Sequence, residues 1–264
     1  LAQRLQQLNA ERQEIEHGVL QQALAAAEAQ LKTNPIALVL AGEGWHPGVV
    51  GIVAGRVKDQ FHRPTFVLGI GNDGIAKGSG RSVSGVDLGL CIQHLRPMLK
   101  AGGGHAMAAG VTLEASQIDA FRTALTERIQ AQIAAAPEAL VPKITLDAPL
   151  RPAAATLDLV EKLSQLEPFG LGNPEPKFVF SGVRIDTPRV VGVDHLQCTI
   201  SDTSGRVKAV AFRALQGEGT LGRYLLQSAG QSVSVCGTLK AHTWQDRTSV
   251  QLQLDDVWAG QFNG

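Results

Sequence analysis

A run of three glycines followed by a histidine is the most distinctive chemical feature of this sequence. Gly102, Gly103 and Gly104 directly precede His105, and consecutive glycines can turn several backbone N–H groups toward one point. Such a concavity binds anions, and a histidine beside it can donate to a phosphate oxygen. The pattern predicts a phosphate-binding loop. Taken alone, the segment fits a flexible connection with a solvated histidine equally well.

A second glycine-rich segment carries cationic and hydroxyl groups. The stretch Lys77–Ser82 reads KGSGRS, and the planar guanidinium of Arg81 matches the geometry of a phosphate. The two serines add hydroxyl donors, and the two glycines leave room for an anion. The alternative is an exposed turn with an ordinary surface arginine. We predict one phosphate-binding pocket from the two segments, with these members: Ser79, Arg81, Ser82, Gly103, Gly104 and His105.

A third segment, GWHPG, precedes a stretch with the apolar spacing of a helix. The N-terminus of a helix attracts anions. Trp45 could stack on a nucleic-acid base or fill the core, and His46 could contact a phosphate or cap the helix. Together with Lys77, these two residues are candidate DNA contacts.

Metal and nucleophile chemistry find little support in the sequence. The histidines lack clustered acidic partners and the short spacing of a strong metal site, and no serine has an evident neighbouring base. We therefore predict neither a metal ligand nor a catalytic residue, and no cofactor bound by this chain. Cys91, Cys198 and Cys236 are far apart and form no C-x-x-C pair, which argues against a disulfide scaffold and indicates a reducing compartment.

The bulk composition determines how these groups must be positioned. The chain has 264 residues, of which 44% are hydrophobic, and its formal net charge is zero. This length fits two domains better than one, and a neutral chain needs local sorting of charge to bind nucleic acid. We find no apolar run of membrane-spanning length and no signal peptide. Because the chain begins at Leu1 within a helical pattern, we interpret it as part of a longer protein.

The first half of the chain alternates between helical and strand patterns. Residues 1–33 are predicted to form a connecting helix, and residues 34–136 an α/β domain. In this domain the triple glycine is expected to be a loop, followed by a strand of small residues that extends to Leu113. Residues 137–176 contain several prolines and are predicted to be a linker with one short helix.

Residues 177–264 read as all-β. Five predicted strands with a helix between the third and fourth are typical of an OB-fold barrel, which makes the whole chain an α+β multidomain protein. Between residues 177 and 250 there are nine basic and five acidic residues, and a basic groove with stacking aromatics is how OB-folds hold single strands. A solvated basic face is the alternative. The candidate DNA contacts here are Arg184, Arg189, Lys208, Arg213, Lys240, Trp244 and Arg247.

Four motifs, in order and spacing, resemble the RecJ family of single-strand-specific DNA exonucleases. They are WHPGVVGIVAGR at residues 45–56, FHRP at 61–64, KGSGRS at 77–82 and GGHAMAAG at 103–110. The Pro-Glu-Pro at residues 174–176 and the barrel that follows are similar to the family's OB domain. The resemblance covers essentially the whole chain and corresponds to the C-terminal part of the family: a DHH-associated (DHHA) domain and an OB-fold domain.

This resemblance implies a parent enzyme that degrades single-stranded DNA from the 5′ to the 3′ end in DNA repair and recombination. Its DHH domain would use Mg or Mn, would precede this chain and would perform the cleavage. Since no D-H-H occurs here, we expect this chain to be inactive alone. The pocket would hold the 5′ end of the DNA or the phosphate near the scissile bond, and the barrel would grip the strand. The implied partners are single-stranded DNA and single-stranded-DNA-binding protein, in the bacterial cytoplasm and away from membranes.

Two other functions remain open from the sequence. A DHH-type phosphoesterase could act on short oligonucleotides or nucleotides through the same glycine-rich pocket. A non-catalytic OB-fold module could serve as a binding scaffold. The barrel argues against the first, because a small substrate does not need a module that holds a strand.

Overall fold

The structure is a computed structural model that describes residues 1–135, 137–170, 172–216 and 219–260. The chain divides into two compact units, Leu1–Lys143 and Ile144–Gly264. This division falls within the segment 137–176 that the sequence predicts as a linker. In the part of the chain that is described, no helix combines the length and apolar character needed to cross a membrane.

The first unit is built on a five-stranded sheet in the order β1-β2-β3-β5-β4. The pair β1–β2 is parallel, and the other pairs are antiparallel. The strands are β1 (Leu38–Glu43), β2 (Thr65–Ile70), β3 (Ile75–Arg81), β4 (Ala101–His105) and β5 (Ala108–Glu114). The predicted α/β class of this unit is confirmed.

Helices cover both faces of this sheet. Their bounds are α1 (Ala2–Leu31), α2 (Pro47–Phe61), α3 (Leu88–Leu95) and α4 (Ile118–Ala135). Strand side chains alternate between faces: Leu38 and Leu40 pack in one core with α1 and α2, whereas Val39 packs in the other core with α3 and α4. The sheet therefore has one face against α1 and α2 and another against α3 and α4.

Local side-chain contacts determine where these helices begin and how they pack. Asp87 caps α3 by accepting a hydrogen bond from the Leu90 N–H at 2.9 Å, as N-cap aspartates do. On α1, the carboxylate of Glu16 is buried and lies 2.6 Å from Arg12 and 2.7 Å from Arg56. Because Arg56 belongs to α2, this ion pair joins the two helices on one face of the sheet.

The glycine run is a strand rather than the predicted loop. Ala101–His105 forms β4, at the edge of the sheet, and pairs with β5 from Ala101↔Thr112 to His105↔Ala108. None of its three glycines has a positive φ. On one side of this strand there is no room for side chains, because β5 and α3 lie very close to it. A Cβ at Gly102 would meet Ile92 of α3, and one at Gly104 would meet Ala108 and Ala109 of β5. An edge strand still presents unpaired backbone groups along its free side.

The second unit contains a closed five-stranded barrel. Its strands are β7 (Phe178–Val191), β8 (His195–Ser201), β9 (Arg206–Ala211), β10 (Ser232–Trp244) and β11 (Arg247–Ala259). They pair in the cyclic order β7-β8-β9-β11-β10, with β10 returning to β7. Helix α6 (Thr220–Gln227) lies between the third and fourth barrel strands. This closed connectivity, with a helix between the third and fourth strands, confirms the predicted OB-fold. Alternating apolar residues of the strands fill the interior of the barrel.

Residues before the barrel pack onto it. The short strand β6 (Ala148–Pro149) runs parallel to β7, and helix α5 (Leu157–Ser164) begins at the side-chain cap of Thr156. Leu159, Val160 and Leu163 of this helix contact the barrel core. The short helix predicted within the linker is therefore part of the second unit's packing.

Candidate nucleic-acid interface

Alternate residues of β3 place three polar side chains on one face of the sheet. Lys77, Ser79 and Arg81 share a face with Val67 of β2, which packs against α2. The register continues this face onto the neighbouring strands: Ser79 lies opposite Gly110, which in turn lies opposite Gly103. Four of the six predicted members, Ser79, Arg81, Gly103 and His105, therefore lie on the α2 face of one sheet.

The next cross-strand row brings the basic groups together. Arg81 lies opposite Ala108, and Ala108 lies opposite His105. Arg81 is half-buried and His105 is exposed. Since neighbouring strands are about 4.8 Å apart, the guanidinium and imidazole flank the small residues between them. The guanidinium and the imidazole thus lie on both sides of a surface that has almost no side chains.

The floor of this surface is bare because two glycines face it. A Cβ atom at Gly103 would meet nothing within 4 Å, and one at Gly110 would meet only the Gly78 carbonyl oxygen, at 3.8 Å. A groove of about 360 Å³ lies above them, with Lys77, Ser79 and residues of α2 in its walls. We use the name sheet pocket for this groove together with Arg81 and His105, which lie beside it on the same sheet face but outside its lining. Its floor allows a ligand to approach the backbone.

Arg81 is held in place without being neutralised. Its Nη1 donates to its neighbour's carbonyl, that of Gly80, at 2.9 Å, and its Nη2 would lie 3.1 Å from a Cβ at Gly51 of α2. Within the described ranges, no ion pair joins a carboxylate to Arg81, Lys77 or His105. The sheet pocket therefore carries uncompensated positive charge, which favours an anion.

Three predicted residues do not reach the sheet pocket. The Ser82 hydroxyl is buried and donates to the Val86 carbonyl at 2.6 Å, so it stabilises a turn. Gly104 faces the α3 side, where a Cβ would lie 2.3 Å from the Ala108 carbonyl oxygen. Trp45 is 6% exposed in the core and donates to Gln22 at 2.8 Å. Its ring is not accessible to stack on a base, because it is buried in the core.

Gly78 and Gly80 have a different role from the one predicted. A Cβ at Gly80 would lie 2.5 Å from the ring of Phe66, and one at Gly78 would lie 2.3 Å from Leu68. Both glycines face α3 and α4, so they make room for the core and not for an anion. His46 is the N-cap of α2: its Nδ1 accepts from the Gly48 N–H at 3.0 Å.

A second groove runs along the free edge of β4. It has a volume of about 570 Å³ and lies between this strand and α3, where it is lined by Gly103, His105, Arg96 and Gln93. Leu90 and Met107 beside it are each about half exposed. The backbone of β4 is thus reachable from this edge as well as from the α2 face.

Two basic residues of the barrel lie on the outer face of β9, beside β8. Arg206 and Lys208 are exposed and alternate with the buried Val207 and Ala209. With Thr199 of β8 and other polar residues, they line a groove of about 440 Å³. The second and third strands of an OB-fold, with the loops between strands 1 and 2 and between strands 4 and 5, are the surface with which this fold binds oligonucleotides. The predicted contact Lys208 lies in this groove.

Other predicted contacts lie near the two loops that border this face. Arg189 and Arg213 are exposed near the β7–β8 turn, where Arg189 donates to Gln197. Trp244, 68% exposed, and Arg247 flank the β10–β11 turn. Lys240 differs from these residues, because its Nζ lies 2.6 Å from the Glu175 carboxylate. Its charge is compensated within the unit.

The structure adds candidate contacts to the predicted set. Phe212 is 55% exposed, and its ring meets that of His195 edge-on at 5.4 Å. Val191 lies opposite His195 on the neighbouring strand and is 42% exposed. A cross-strand row of exposed apolar and aromatic groups of this kind is invisible in sequence until the register is known. Arg206 contributes to the basic excess of this region, but only the register places it in the groove with Lys208.

The three cysteines are buried and unpaired. Burial raises the pKa of the Cys198 thiol to about 12 and those of Cys91 and Cys236 to about 11. The thiols are therefore protonated near neutral pH, and reactivity depends on the thiolate. These residues serve as small core groups.

Two family models match most of the chain. The DHHA1 domain matches residues 17–131, and the RecJ OB domain matches residues 146–256. The matched segments correspond to the two units of the structure.

Curated relatives and solved structures agree with the family models. The single-stranded-DNA-specific exonuclease RecJ of Bacillus subtilis is 34% identical, over 99% of this chain and 33% of that protein. Its counterpart from Escherichia coli is 32% identical, over 98% of this chain and 45% of that protein. RecJ from Thermus thermophilus in complex with Mn²⁺ is 28% identical with a TM-score of 0.76, over 98% of this chain and 36% of that one. This chain thus spans less than half the length of these relatives.

The solved structures of that relative hold Mg²⁺ or Mn²⁺. Among the residues described here, no group of three His, Cys, Asp or Glu side chains is placed to hold such an ion. The described residues thus do not fit a metal site. The binding properties of this part of the chain depend on its own polar and charged side chains. With both domain models matched in order, the chain belongs to the RecJ family and carries its DHHA1 domain and its OB domain.

Proposed function

We propose that this chain binds single-stranded DNA, as the nucleic-acid-binding part of a 5′-to-3′ single-strand-specific exonuclease. The sheet pocket takes the phosphate at the 5′ end, and the barrel holds the strand. One observation carries the proposal: Ser79, Arg81 and His105 share a sheet face whose floor at Gly103 is bare, and among the described residues no carboxylate pairs with Arg81 or His105.

The chemistry of the sheet pocket suits a terminal phosphate. A phosphate monoester carries about −1.5 to −2 charge at neutral pH, whereas an internal diester carries a single charge. Arg81 offers a planar fork, Ser79 a hydroxyl and His105 a ring N–H, and the glycine floor lets the anion approach the sheet. We expect the pocket to prefer a 5′-phosphate to a 5′-hydroxyl because the additional charge meets these fixed donors.

The barrel would supply affinity that does not depend on the end of the strand. Lys208 and Arg206 attract the backbone by charge, and the exposed rings of Trp244 and Phe212 provide stacking surfaces for unpaired bases. Bases of a duplex are already stacked and paired, so such rings favour a single strand. This division of labour assigns recognition of the end to one unit and grip of the strand to the other.

The wider role follows from the relatives. They are named single-stranded-DNA-specific exonucleases, and we propose that this chain serves such an enzyme in DNA repair and recombination in the bacterial cytoplasm. We assign cleavage, with Mg²⁺ or Mn²⁺, to parts of the relatives' length that this chain does not span. Binding to single-stranded-DNA-binding protein is a further proposal, from the family resemblance alone.

Fluorescence anisotropy with labelled oligothymidylate tests the proposal directly. We expect binding to a single strand that weakens with salt, a preference for the 5′-phosphorylated strand, and weaker binding to a blunt duplex. Arg81→Ala should reduce the preference for the 5′-phosphate by about tenfold, since hydrogen bonds to charged groups contribute about 1.5–3 kcal/mol. Arg4→Ala is the matched control, because Arg4 is exposed on α1 and bonds only locally to Gln7.

Three results would contradict the proposal. The first is an absence of strand binding at low salt. The second is equal binding of strand and duplex. The third is a dinucleotide that binds as tightly as a long strand, which would favour a phosphoesterase of short oligonucleotides.

A further inference from the structure

A polar pocket on β7 lies outside the groove between β8 and β9. It has a volume of about 690 Å³ and includes Arg184 and Arg151. Thr203 and Ser232 add hydroxyl groups to its lining, whereas the Ser201 hydroxyl beside them donates to Asp186. We name it the Arg184 pocket. Its combination of guanidinium and hydroxyl donors is suited to an oxyanion.

The side chain of Arg184 is oriented by the backbone beneath it. Its Nε donates to the Gly230 carbonyl at 3.1 Å, which leaves the two Nη groups for another acceptor. The turn that carries Gly230 is itself fixed to β7, because the Gly230 N–H donates to the Ile185 carbonyl at 2.8 Å. Within the described residues no carboxylate forms an ion pair with Arg184. The guanidinium is therefore held in place and uncompensated.

The nearby carboxylates are occupied by other donors. Asp202 accepts hydrogen bonds from Ser204 and Gly205, and it lies 3.3 Å from Arg151. Hydrogen bonds from Ser204 above all hold the pKa of Asp202 below its ordinary value, so it stays ionised while its charge is satisfied locally. Asp186 accepts from the Ser201 hydroxyl. Neither carboxylate neutralises Arg184.

The strand register connects this pocket to the β8–β9 groove. Arg206 of that groove lies opposite Ser201, and Ser201 lies opposite Arg184. Arg184 in turn lies opposite Ser232 of β10. A polar row therefore crosses four strands, and its two arginines are separated by two strand spacings, or about 10 Å. The basic surface of the barrel thus continues sideways from β9 to β7.

We propose that the Arg184 pocket holds an internal phosphate of a single-stranded nucleic acid that crosses the barrel from the β8–β9 groove. The inference rests on the proposed function and deepens it, because it assigns a path to the strand and a second phosphate to a defined arginine. Phosphate contacts of this kind carry no sequence information. The pocket consequently binds the strand whatever its base sequence.

Salt-dependent binding of a long oligothymidylate tests this inference. Arg184→Ala should weaken binding about tenfold and lower the slope of log affinity against log salt by about 0.7, the value for one phosphate of a single strand. Arg184→Lys should retain the slope but lose part of the affinity, because it keeps the charge without the fork. Lys162→Ala is the matched charge control on α5, where Lys162 is exposed and pairs only with Asp158, and it should change affinity less than twofold.

The outcomes separate this inference from the proposed function. If the unmodified chain fails to bind any strand, the proposed function fails, and this path with it. If it binds and Arg184→Ala matches Lys162→Ala, the proposed function stands and the path is wrong. If inorganic phosphate raises the melting temperature of the unmodified chain but not of Arg184→Ala, while both bind the strand equally, the pocket takes a free anion and the backbone assignment is overturned. A melting curve of each variant in buffer shows that it is folded.

Discussion

The sheet pocket and the barrel face bind through opposite kinds of surface. The sheet pocket is formed where side chains are missing, at Gly103 and Gly110, and its donors are few and held in place. The barrel face instead carries long exposed side chains such as Lys208 and Trp244, distributed over several strands. A bare floor with fixed donors suits one compact group of high charge, whereas dispersed cations and rings suit an extended chain. The comparison indicates that recognition of an end and retention of a strand place different demands on a β-sheet.

Filling the floor of the sheet pocket is expected to have the largest effect. In Gly103→Leu, the new side chain should occupy the space of the phosphate and remove the preference for a 5′-phosphorylated strand. The binding free energy of that strand should become less favourable by about 2–3 kcal/mol. The fold should be retained, because a Cβ at Gly103 meets nothing within 4 Å. Anisotropy titrations with phosphorylated and unphosphorylated strands measure the effect.

Gly18→Leu is the matched control for this substitution, since Gly18 lies on the exposed side of α1 and a Cβ there also meets nothing within 4 Å. It should leave the preference intact. If a Gly103→Leu variant still prefers a 5′-phosphate to a 5′-hydroxyl, the phosphate does not lie above Gly103. The proposed difference between the sheet pocket and the barrel would then be wrong.

The adjacent glycine should respond in stability rather than in binding. In Gly104→Ala, the methyl group would lie 2.3 Å from the Ala108 carbonyl oxygen and 2.5 Å from the Ala109 Cα, both of them backbone atoms. Such overpacking costs about 1–3 kcal/mol. We expect faster amide hydrogen exchange in β4 and β5, with the barrel strands unchanged, as measured by mass spectrometry. Gly103→Ala, one residue away on the opposite face, should leave exchange at its wild-type rate; equal effects would contradict the assigned faces.

Removing an exposed ring tests the barrel side of the comparison. Trp244→Ala should weaken binding of a long strand by about tenfold, because stacking of one base on an aromatic ring contributes about 1–3 kcal/mol. The preference for a 5′-phosphate should not change, since that selectivity is assigned to the other unit. Trp244→Phe retains a stacking surface and should restore most of the affinity. A loss of end preference in Trp244→Ala would mean that the two functions are not divided between the units.

Much of the fold follows from the sequence because local patterns and overall topology agree. The five barrel strands and the helix between the third and fourth were predicted from alternation and glycine positions, and their closure into a barrel is confirmed. Asp87 caps α3, and aspartate is a residue type that favours this position before a helix. In such segments the local sequence preference and the tertiary contacts favour the same structure, so the preference predicts it correctly.

The glycine run shows where sequence reasoning fails. Gly102 to Gly104 predict a loop, since glycine is poor in strands, yet they form β4 because α3 and β5 leave space for little else on one side. The face on which a strand residue lies is a second feature that the sequence does not show, because successive side chains point to opposite faces. Ser79 reaches the sheet pocket and Ser82 does not, because one lies on the α2 face and the other is buried in a turn beyond the strand. Residue type alone cannot reveal which face a residue occupies.

The smallest expected effects distinguish free from paired lysines on the barrel. Lys208→Ala should weaken binding of a long strand by about threefold and lower the salt slope by about 0.7, since it removes one phosphate contact. Lys240→Ala should change affinity less than twofold, because the charge of Lys240 is already compensated by Glu175 at 2.6 Å. Both lysines lie in one cross-strand row through Gln251, so the comparison holds their position on the barrel nearly constant and varies the acidic partner.

Glu175→Gln completes this comparison. Freeing Lys240 from its carboxylate should increase affinity slightly and make Lys240→Ala as costly as Lys208→Ala in that background. The interaction between the two substitutions is read from a double-mutant cycle, with titrations at several salt concentrations. If Lys240→Ala is already as costly as Lys208→Ala in the unmodified chain, the ion pair does not shield its lysine. Affinity on the barrel would then depend on the number of cations alone, and their pairing within the unit would be irrelevant to strand binding.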